Sequence, residues 1–415
     1  MIRISHSTGI VKGEINLPSS KSISNRMLIL QKLYEPDIQL DNVSNANDTQ
    51  LLKKLLDGDS KDLFVEDAGT VFRFMVAYCA TTPGEWTING IERLNERPIK
   101  ELVDALRLLG ADISYSKSEC YGPLKIVGKE LAAVNDLIDL THVKSSQFIS
   151  ALLLIAPMVK GDFNIKVDVK MSSYSYILLT VSCLRRMGFS VFIKGMYISV
   201  SKKQKFDGEY FLIEPDWSSF YYWFSISHLS KECDLFFPGL RLDNMQKERK
   251  YLFEVGNNAM TYEEKESGIR ISKSKQGKVE CPDILHFAQR SDSAMTYGML
   301  LPAIGCKYHK LKGLESLKYK ECDREEALTE HLAKVGVQLS KIENEWELKA
   351  ENYKLQPNTM FPSYDDHRMA MCVAPLGLEQ PILVEDETVV KKSYPHFWED
   401  LESVGFEIEQ VSSQH

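Results

Sequence analysis

The feature that most restricts the fold is a recurring stop signal. Six segments close on a glycine: LLKKLLDG at 58, LVDALRLLG at 110, LLTVSCLRRMG at 188, YLFEVG at 256, LTEHLAKVG at 336 and FWEDLESVG at 405. In the clearest copies the apolar residues, Leu102, Val103, Leu106 and Leu109 or Leu328, Leu332 and Val335, recur at spacings of three and four, which places them on one face of a helix. A glycine suits the left-handed residue that ends such a helix. Short segments follow, ADISYS, FSVFIKG, VQLSKIE and FEIEQ, and they read as strands. Copies roughly 70 residues apart are too long for a solenoid repeat. Three per domain give two similar halves, with helices inside and strands forming the outer layers.

Charged loops precede several of these helices: WTINGIERLNERPI, LFFPGLRLDNMQKER, HKLKGLESLKYKECDRE and ILVEDETVVKKSYPH. Unpaired N–H groups and the dipole at a helix start favour an anion. If the loops converge, they collect Lys21, Arg26, Arg97, Lys320, Arg324, Arg368 and Lys392 within a chain of formal net charge -8. A local cationic site in an acidic protein expects small polyanions carrying phosphate or carboxylate. The overall charge argues against a nucleic-acid surface. No run of about twenty apolar residues marks a membrane span, and the opening MIRISHSTGIVKGEINL lacks a signal core, so a cytoplasmic protein is expected. The eight cysteines stand singly, without CxxC pairs, and suggest neither a zinc site nor a disulfide framework.

Several stretches can carry chemistry. In LPSSKSISNRMLIL, Ser19, Ser20 or Ser22 can cap the helix, and Lys21 and Arg26 flank its start, which suits a phosphate as well as a plain capped helix. EDAGTVFRFMVAY enters a helix through Gly69, whose missing side chain lets a ligand approach the backbone. Arg73 reads more readily as a structural partner. In LNERPI, Arg97 stands before Pro98, expected in the first turn of the next helix. Ser145, Ser146 and Gln147 begin an apolar helix with groups that both donate and accept hydrogen bonds, and SSYSY at 172–176 repeats that chemistry. Acids enter later: Asp292 in SDSAMT, Glu321 beside Lys320 and Arg324 in KYKECDRE, and Asp365, Asp366, His367 and Arg368 in DDHRMAM. Three charge runs at matching places in a repeated unit favour convergence over a solvated face.

PSSKSISNR, EDAGTVFR, RLNERPI, SSQF, SAMT, LKYKECDR, DDHRMAM and KKSYPHF occur in an order that resembles the 5-enolpyruvylshikimate-3-phosphate synthase family, from about residue 10 to 402. The resemblance implies a two-domain inside-out α/β barrel of the enolpyruvyl transferase type, built from six βαβαββ units. It places 1–17 with 214–415 in one domain, 18–213 in an inserted one, and the ligands between them. The implied substrates are phosphoenolpyruvate and shikimate 3-phosphate, with no cofactor, metal or membrane, and a monomer suffices. By the same resemblance Lys21, Ser22 and Arg26 meet the substrates' phosphate and carboxylate groups. Ser145, Ser146, Gln147, Ser173 and Tyr176 hold shikimate 3-phosphate, while Gly69, Arg97, Arg324, Arg368 and Lys392 surround phosphoenolpyruvate. Asp292, Glu321 and Lys21 become the catalytic candidates, Lys320 a substrate-binding one, and Asp366 and His367 order the neighbouring charges.

The match departs from the family pattern at four places. Gly has become Ser19 in PSSKS, Asn has become Asp67 before Ala-Gly-Thr, Ser-Lys-Pro-Tyr is Ser173-Tyr174-Ser175-Tyr176, and Asn-Asp-His-Arg begins with Asp365. The carboxylate that activates the hydroxyl is Asp283 or Asp292, with Asp292 preferred for its place before a helix. Two rival functions stay open: the related transferase acting on UDP-N-acetylglucosamine, and a non-catalytic homologue that binds phosphorylated ligands. No cysteine occupies the loop in which the first of these carries its reactive thiol.

Overall fold

The computed structural model describes residues 1–133, 137–203, 208–246, 254–274, 277–343 and 345–411. The chain divides into two compact units, Ser20–Ile213 and Met1–Ser19 with Glu214–His415.

In the Ser20–Ile213 unit, strand Asp62–Phe64 runs parallel to Gly84–Asn89, which pairs antiparallel with Leu124–Gly128, itself antiparallel to Asp112–Tyr115. In chain order this is strand, helix Gly69–Thr81, strand, helix Lys100–Leu108 and two strands, with the short turn Glu92–Asn95 added. A second sheet repeats the pattern with Ile138–Asp139, Phe163–Lys166, Phe189–Lys194 and Tyr197–Lys203 around helices Ser146–Ile155 and Tyr174–Arg186. A two-stranded parallel sheet, Gln39–Asp41 with Tyr210–Leu212, accompanies helices Lys21–Tyr34 and Asn47–Asp57.

The other unit holds three four-stranded sheets of the same strand order. One carries Ile284–His286, Tyr308–Lys312, Gln338–Ile342 and Glu345–Lys349. Another is completed by the N-terminal strand Ile2–His6, inserted between Ile382–Val384 and Phe406–Gln410. The third joins Ile10–Glu14, Glu232–Pro238, Gly268–Lys273 and Met260–Lys265. Half of its copy of the glycine stop, YLFEVG, lies outside the described residues. Within them Gly256–Asn257 is a short strand, not a helix end.

Glycine ends four helices as expected, with Gly110, Gly188, Gly336 and Gly405 at φ of 91°, 83°, 74° and 99°. Strands Asp112–Tyr115, Phe189–Lys194, Gln338–Ile342 and Phe406–Gln410 follow them. Gly58 stops its helix at φ -81°, without a left-handed residue. Pro98 precedes the N-cap Ile99 of Lys100–Leu108, so it stands just outside the first turn where it was expected.

The helices fall into two classes. Three helices are apolar nearly all round and buried nearly all round: in Gly69–Thr81 only Thr70 escapes burial, in Ser146–Ile155 only Gln147, and in Ala294–Ala303 only Ala303. The second class is amphipathic, as in Lys100–Leu108, where Leu102, Val103, Ala105 and Leu106 are buried. Strands such as Glu232–Pro238 and Glu345–Lys349 alternate between buried and partly exposed residues, as one-sided sheets require. The apolar helices therefore lie in the core of each unit, and these strands turn one face toward it.

One expectation fails. Cys281 and Cys306 form a disulfide, with Cα atoms 5.7 Å apart. Twenty-five residues separate them in sequence, but Cys281 precedes Ile284–His286 and Cys306 precedes Tyr308–Lys312, and those strands pair in parallel. Pairing brings together what spacing could not reveal.

Candidate active site

In the Ser20–Ile213 unit the candidate residues gather at helix starts. Ser20 caps helix Lys21–Tyr34, its Oγ accepting from Ile23 N at 3.4 Å. Lys21, at the first helical position, donates to Asp48 Oδ2 at 3.0 Å. Arg26 is buried, and each guanidinium nitrogen donates to a protein oxygen. Nε reaches Thr180 Oγ1 at 2.7 Å, Nη1 the Ser22 carbonyl at 2.7 Å, and Nη2 Ser150 Oγ at 3.3 Å and the Tyr176 carbonyl at 3.2 Å. Burial pushes its pKa down to about 10, against smaller upward effects of Cys183 and Tyr176, so it remains a cation at neutral pH. Arg26 thus ties the helix that starts at Lys21 to Ser146–Ile155 and Tyr174–Arg186.

Gly69 marks a second crowded start. A Cβ there would stand 2.8 Å from Arg97 Nη1 and 3.1 Å from Arg73 Nη1, so two guanidinium groups close on the helix end that only a residue without a side chain leaves open. Arg73 Nη1 donates to the Gly69 carbonyl at 3.1 Å. Thr70 and Gln147, the single exceptions to burial in their helices, meet through Gln147 Nε2 and Thr70 Oγ1 at 3.1 Å. Ser145 is the N-cap of Ser146–Ile155, yet its hydroxyl takes no hydrogen bond from that helix. Ser173 caps Tyr174–Arg186 from a left-handed φ of 65°, and Ser146 and Ser173 are buried. Asp67 is half-buried just before the N-cap Ala68, and Tyr174 opens its helix half-buried.

The other unit gathers charges. Asp292 lies in the turn Ser291–Ser293 ahead of Ala294–Ala303. Its Oδ1 accepts from Lys320 Nζ at 3.2 Å and Arg324 Nη1 at 3.0 Å, and its Oδ2 from Arg368 Nη2 at 3.1 Å. Arg324, 1% exposed, also donates from Nε to Asp366 Oδ2 at 2.6 Å and from Nη2 to Glu321 Oε2 at 2.7 Å. Asp366 caps His367–Val373, accepting from Arg368 N at 2.9 Å. His367 is buried with Nδ1 3.6 Å from Asp366 Oδ1, and Lys392 is nearly buried at the end of the turn Thr388–Lys392. Asp365 is exposed with φ 52°, a conformation that Asn and Asp both tolerate. Its added charge therefore lies outside the ion-pair network.

Burial by itself would raise the pKa of Asp292, but Arg368, Lys320 and Arg324 outweigh it and hold the carboxyl well below the usual range, despite an opposing contribution from Glu321. Burial would likewise lower Arg324, and Asp366, Glu321 and Asp292 carry it well above its ordinary value. Asp292 and Arg324 are therefore both ionised at neutral pH. Asp283 is exposed, and its carbonyl is bonded to Lys310 N at 2.8 Å. Of the two alternative carboxylates, Asp292 is the one inside the network.

Sequence reasoning missed the partners that hold these side chains. Asp48 stands in SNANDT with nothing local to link it to Lys21. Thr180 and Ser150 lie 154 and 124 residues from Arg26. Arg290, buried and paired with Glu254, sits 4.5 Å from the Tyr297 ring centroid and 4.7 Å from that of Phe287. Its carbonyl accepts from Ser293 Oγ at 3.0 Å, which fixes the turn that presents Asp292.

The chain resembles known proteins over nearly its whole length. A family profile described as EPSP synthase (3-phosphoshikimate 1-carboxyvinyltransferase) matches residues 52–401. A protein of Bacteroides fragilis (strain YCH46), named 3-phosphoshikimate 1-carboxyvinyltransferase, is 36% identical over 402 residues, 96% of each chain. One of the same name from Burkholderia orbicola (strain AU 1054) is 31% identical, covering 93% of this chain and 95% of its own. Among solved structures, EPSP synthase from Acinetobacter baumannii superposes with a TM-score of 0.76 at 19% identity, over 99% of this chain and all of that one. The enolpyruvyl transferase NikO from Streptomyces tendae gives 0.74 at 11% identity, over 100% of this chain and 99% of that one, and shares the fold. Profile and identity together place the chain in the EPSP synthase (3-phosphoshikimate 1-carboxyvinyltransferase) family.

Proposed function

We propose that this chain transfers the enolpyruvyl group of phosphoenolpyruvate to the 5-hydroxyl of shikimate 3-phosphate and releases phosphate, a step of aromatic amino acid (chorismate) biosynthesis, acting as a monomer in the cytoplasm. Family membership supports the reaction. The observation that carries the residue assignment is Asp292, a buried carboxylate held by three cations and joined through Arg324 to Glu321 and Asp366.

The hydroxyl oxygen attacks C2 of the enolpyruvyl group while C3 takes a proton and becomes a methyl. The tetrahedral intermediate then breaks its C2–O bond to phosphate, and C3 returns a proton. One proton acceptor must serve the hydroxyl and one acid–base pair must serve C3. We assign the hydroxyl to Asp292, and the C3 proton and departing phosphate to Glu321 with Lys21. Asp292 is a weak base while its cations surround it. An incoming phosphate or carboxylate competes for Arg368 and Lys320, relieves that stabilisation and raises the carboxyl toward useful basicity. Arg97, Arg324, Arg368 and Lys392 offset the charge of phosphoenolpyruvate. Ser145, Ser146, Gln147, Ser173 and Tyr176 bind shikimate 3-phosphate through neutral donors. Arg26 acts by holding three helix starts in place.

Phosphate release, measured with each substrate omitted in turn and with UDP-N-acetylglucosamine as a rival acceptor, tests the reading. Release that requires shikimate 3-phosphate, with the enolpyruvyl product confirmed by mass, is expected. Folded protein that releases no phosphate with either acceptor would instead be a phospho-ligand-binding homologue.

A further inference from the structure

Outside the residues assigned to transfer, one corner brings together two sulfurs and an imidazole. Cys281, Cys306 and His309 offer ligand atoms, two Sγ and one ring nitrogen, that all lie within 4.8 Å of one another. They come from the segment ahead of Ile284–His286, the segment after Ala294–Ala303 and the strand Tyr308–Lys312. Lys310 N donating to the Asp283 carbonyl at 2.8 Å pins two of these segments together.

His309 shares with the buried His228 and His331 a ring nitrogen set against a carbonyl, and it differs from them in lying beside two sulfurs. It is 1% exposed, and its Nδ1 lies 2.6 Å from the Pro282 carbonyl. A carbonyl can only accept, so Nδ1 carries the proton and Nε2 keeps the lone pair. That nitrogen is buried without a hydrogen-bond partner among the described residues, a state that costs about 1–3 kcal/mol. A backbone carbonyl on one ring nitrogen is also how metal-binding histidines are commonly oriented, leaving the other nitrogen to the metal. Cys281 is exposed, so the corner opens to solvent on one side.

We propose that in its dithiol form this corner binds one thiophilic divalent ion of the zinc class through the Cys281 and Cys306 thiolates and the His309 imidazole, the Cys281–Cys306 disulfide being its metal-free alternative. Two sulfurs and one nitrogen match the ligand preference of zinc, and the exposed side leaves a fourth tetrahedral position to water. Opening the disulfide requires two electrons and two protons. Two molecules of a small thiol supply them and leave as one external disulfide. Metal binding then releases both thiol protons to solvent as two sulfur–metal bonds form.

The test uses full-length protein reduced with a phosphine, stripped with a chelator, desalted without oxygen and titrated with Co²⁺ alone. The expected result is one Co²⁺ per chain, with near-ultraviolet thiolate-to-metal absorption that an equivalent of Zn²⁺ bleaches. Cys281→Ser and Cys306→Ser should each remove the absorption, His309→Asn should weaken binding about tenfold or more, and prior oxidation with a small disulfide should abolish it. Cys120→Ser, at another partly exposed cysteine, should leave it intact. Cys306 is buried, so Cys281→Ser decides if the other variant fails to fold. Equal cobalt binding by wild type and Cys281→Ser, or no binding by the reduced wild type, would overturn the proposal.

Discussion

The two clusters, proposed to meet the same class of ligand, are built from different resources. In the Ser20–Ile213 unit the helix starts combine hydroxyls and amides with Lys21, Arg73 and Arg97, and the buried Arg26 is bonded to protein oxygens on every nitrogen. The cluster around Asp292 is built from ion pairs, with Lys320, Arg324 and Arg368 all directed at one carboxylate. A cluster rich in hydroxyls and amides can accept an anion on those groups without first giving up an ion pair. A paired one must exchange partners, and that exchange can change the basicity of the carboxylate left behind. Hydroxyls and amides suit recognition, whereas a network whose charges must redistribute suits chemistry.

The largest test of that contrast is Arg324→Ala. It strips Asp292, Glu321 and Asp366 of a shared cation, so we expect a stability loss of about 3–5 kcal/mol together with at least a hundredfold lower kcat, on the order of losing one preorganised charge stabiliser. Urea unfolding and initial rates read the two effects separately. If stability alone falls, Arg324 is only a structural partner.

Asp292→Asn keeps the shape and removes the base. We expect kcat to fall by about 10²–10⁴-fold with little change in KM, while Asp283→Asn stays within about twofold of wild type. The reverse result would move the hydroxyl-activating role to Asp283.

Acid should also distinguish the units. His228 and His331, both in the unit formed by the two chain ends, are driven by burial down to about 4 from an ordinary 6.5. Between those values the unfolded chain binds protons that the folded one refuses. Their stabilisation is therefore complete above about pH 6.5 and declines as the pH falls toward 4, by on the order of 3 kcal/mol for each. Hydrogen exchange at pH 7 and pH 5 should show amides of this unit losing protection first, an order absent if the histidines do not limit stability.

The smallest expected effect concerns the Ser20–Ile213 unit. Gly69→Ala must displace Arg97 Nη1, the far end of a flexible side chain. The fold should survive with an unchanged melting temperature, while KM for phosphoenolpyruvate rises about 5–10-fold, close to 1 kcal/mol. Gln147→Ala should instead raise KM for shikimate 3-phosphate by a similar factor. An interchange of these two responses would exchange the ligands assigned to Gly69 and Gln147.

The sequence by itself determined what is decided within a turn or two of chain. The glycine stops at 110, 188, 336 and 405, the strands after them, a serine cap among Ser19, Ser20 and Ser22 and the identity of the charged helix starts all follow from local backbone preference and from which side chains reach unpaired N–H groups. Tertiary structure decided the rest. Arg368 meets Asp292 across 76 residues and Arg324 meets Asp366 across 42, Arg26 becomes a strut, and Cys281 reaches Cys306 because two strands pair in parallel. Those partners depend on how strands align and helices pack. No local spacing encodes that alignment, because a side chain's charge and length say what it can bind but not which distant segment will be brought within 3 Å of it.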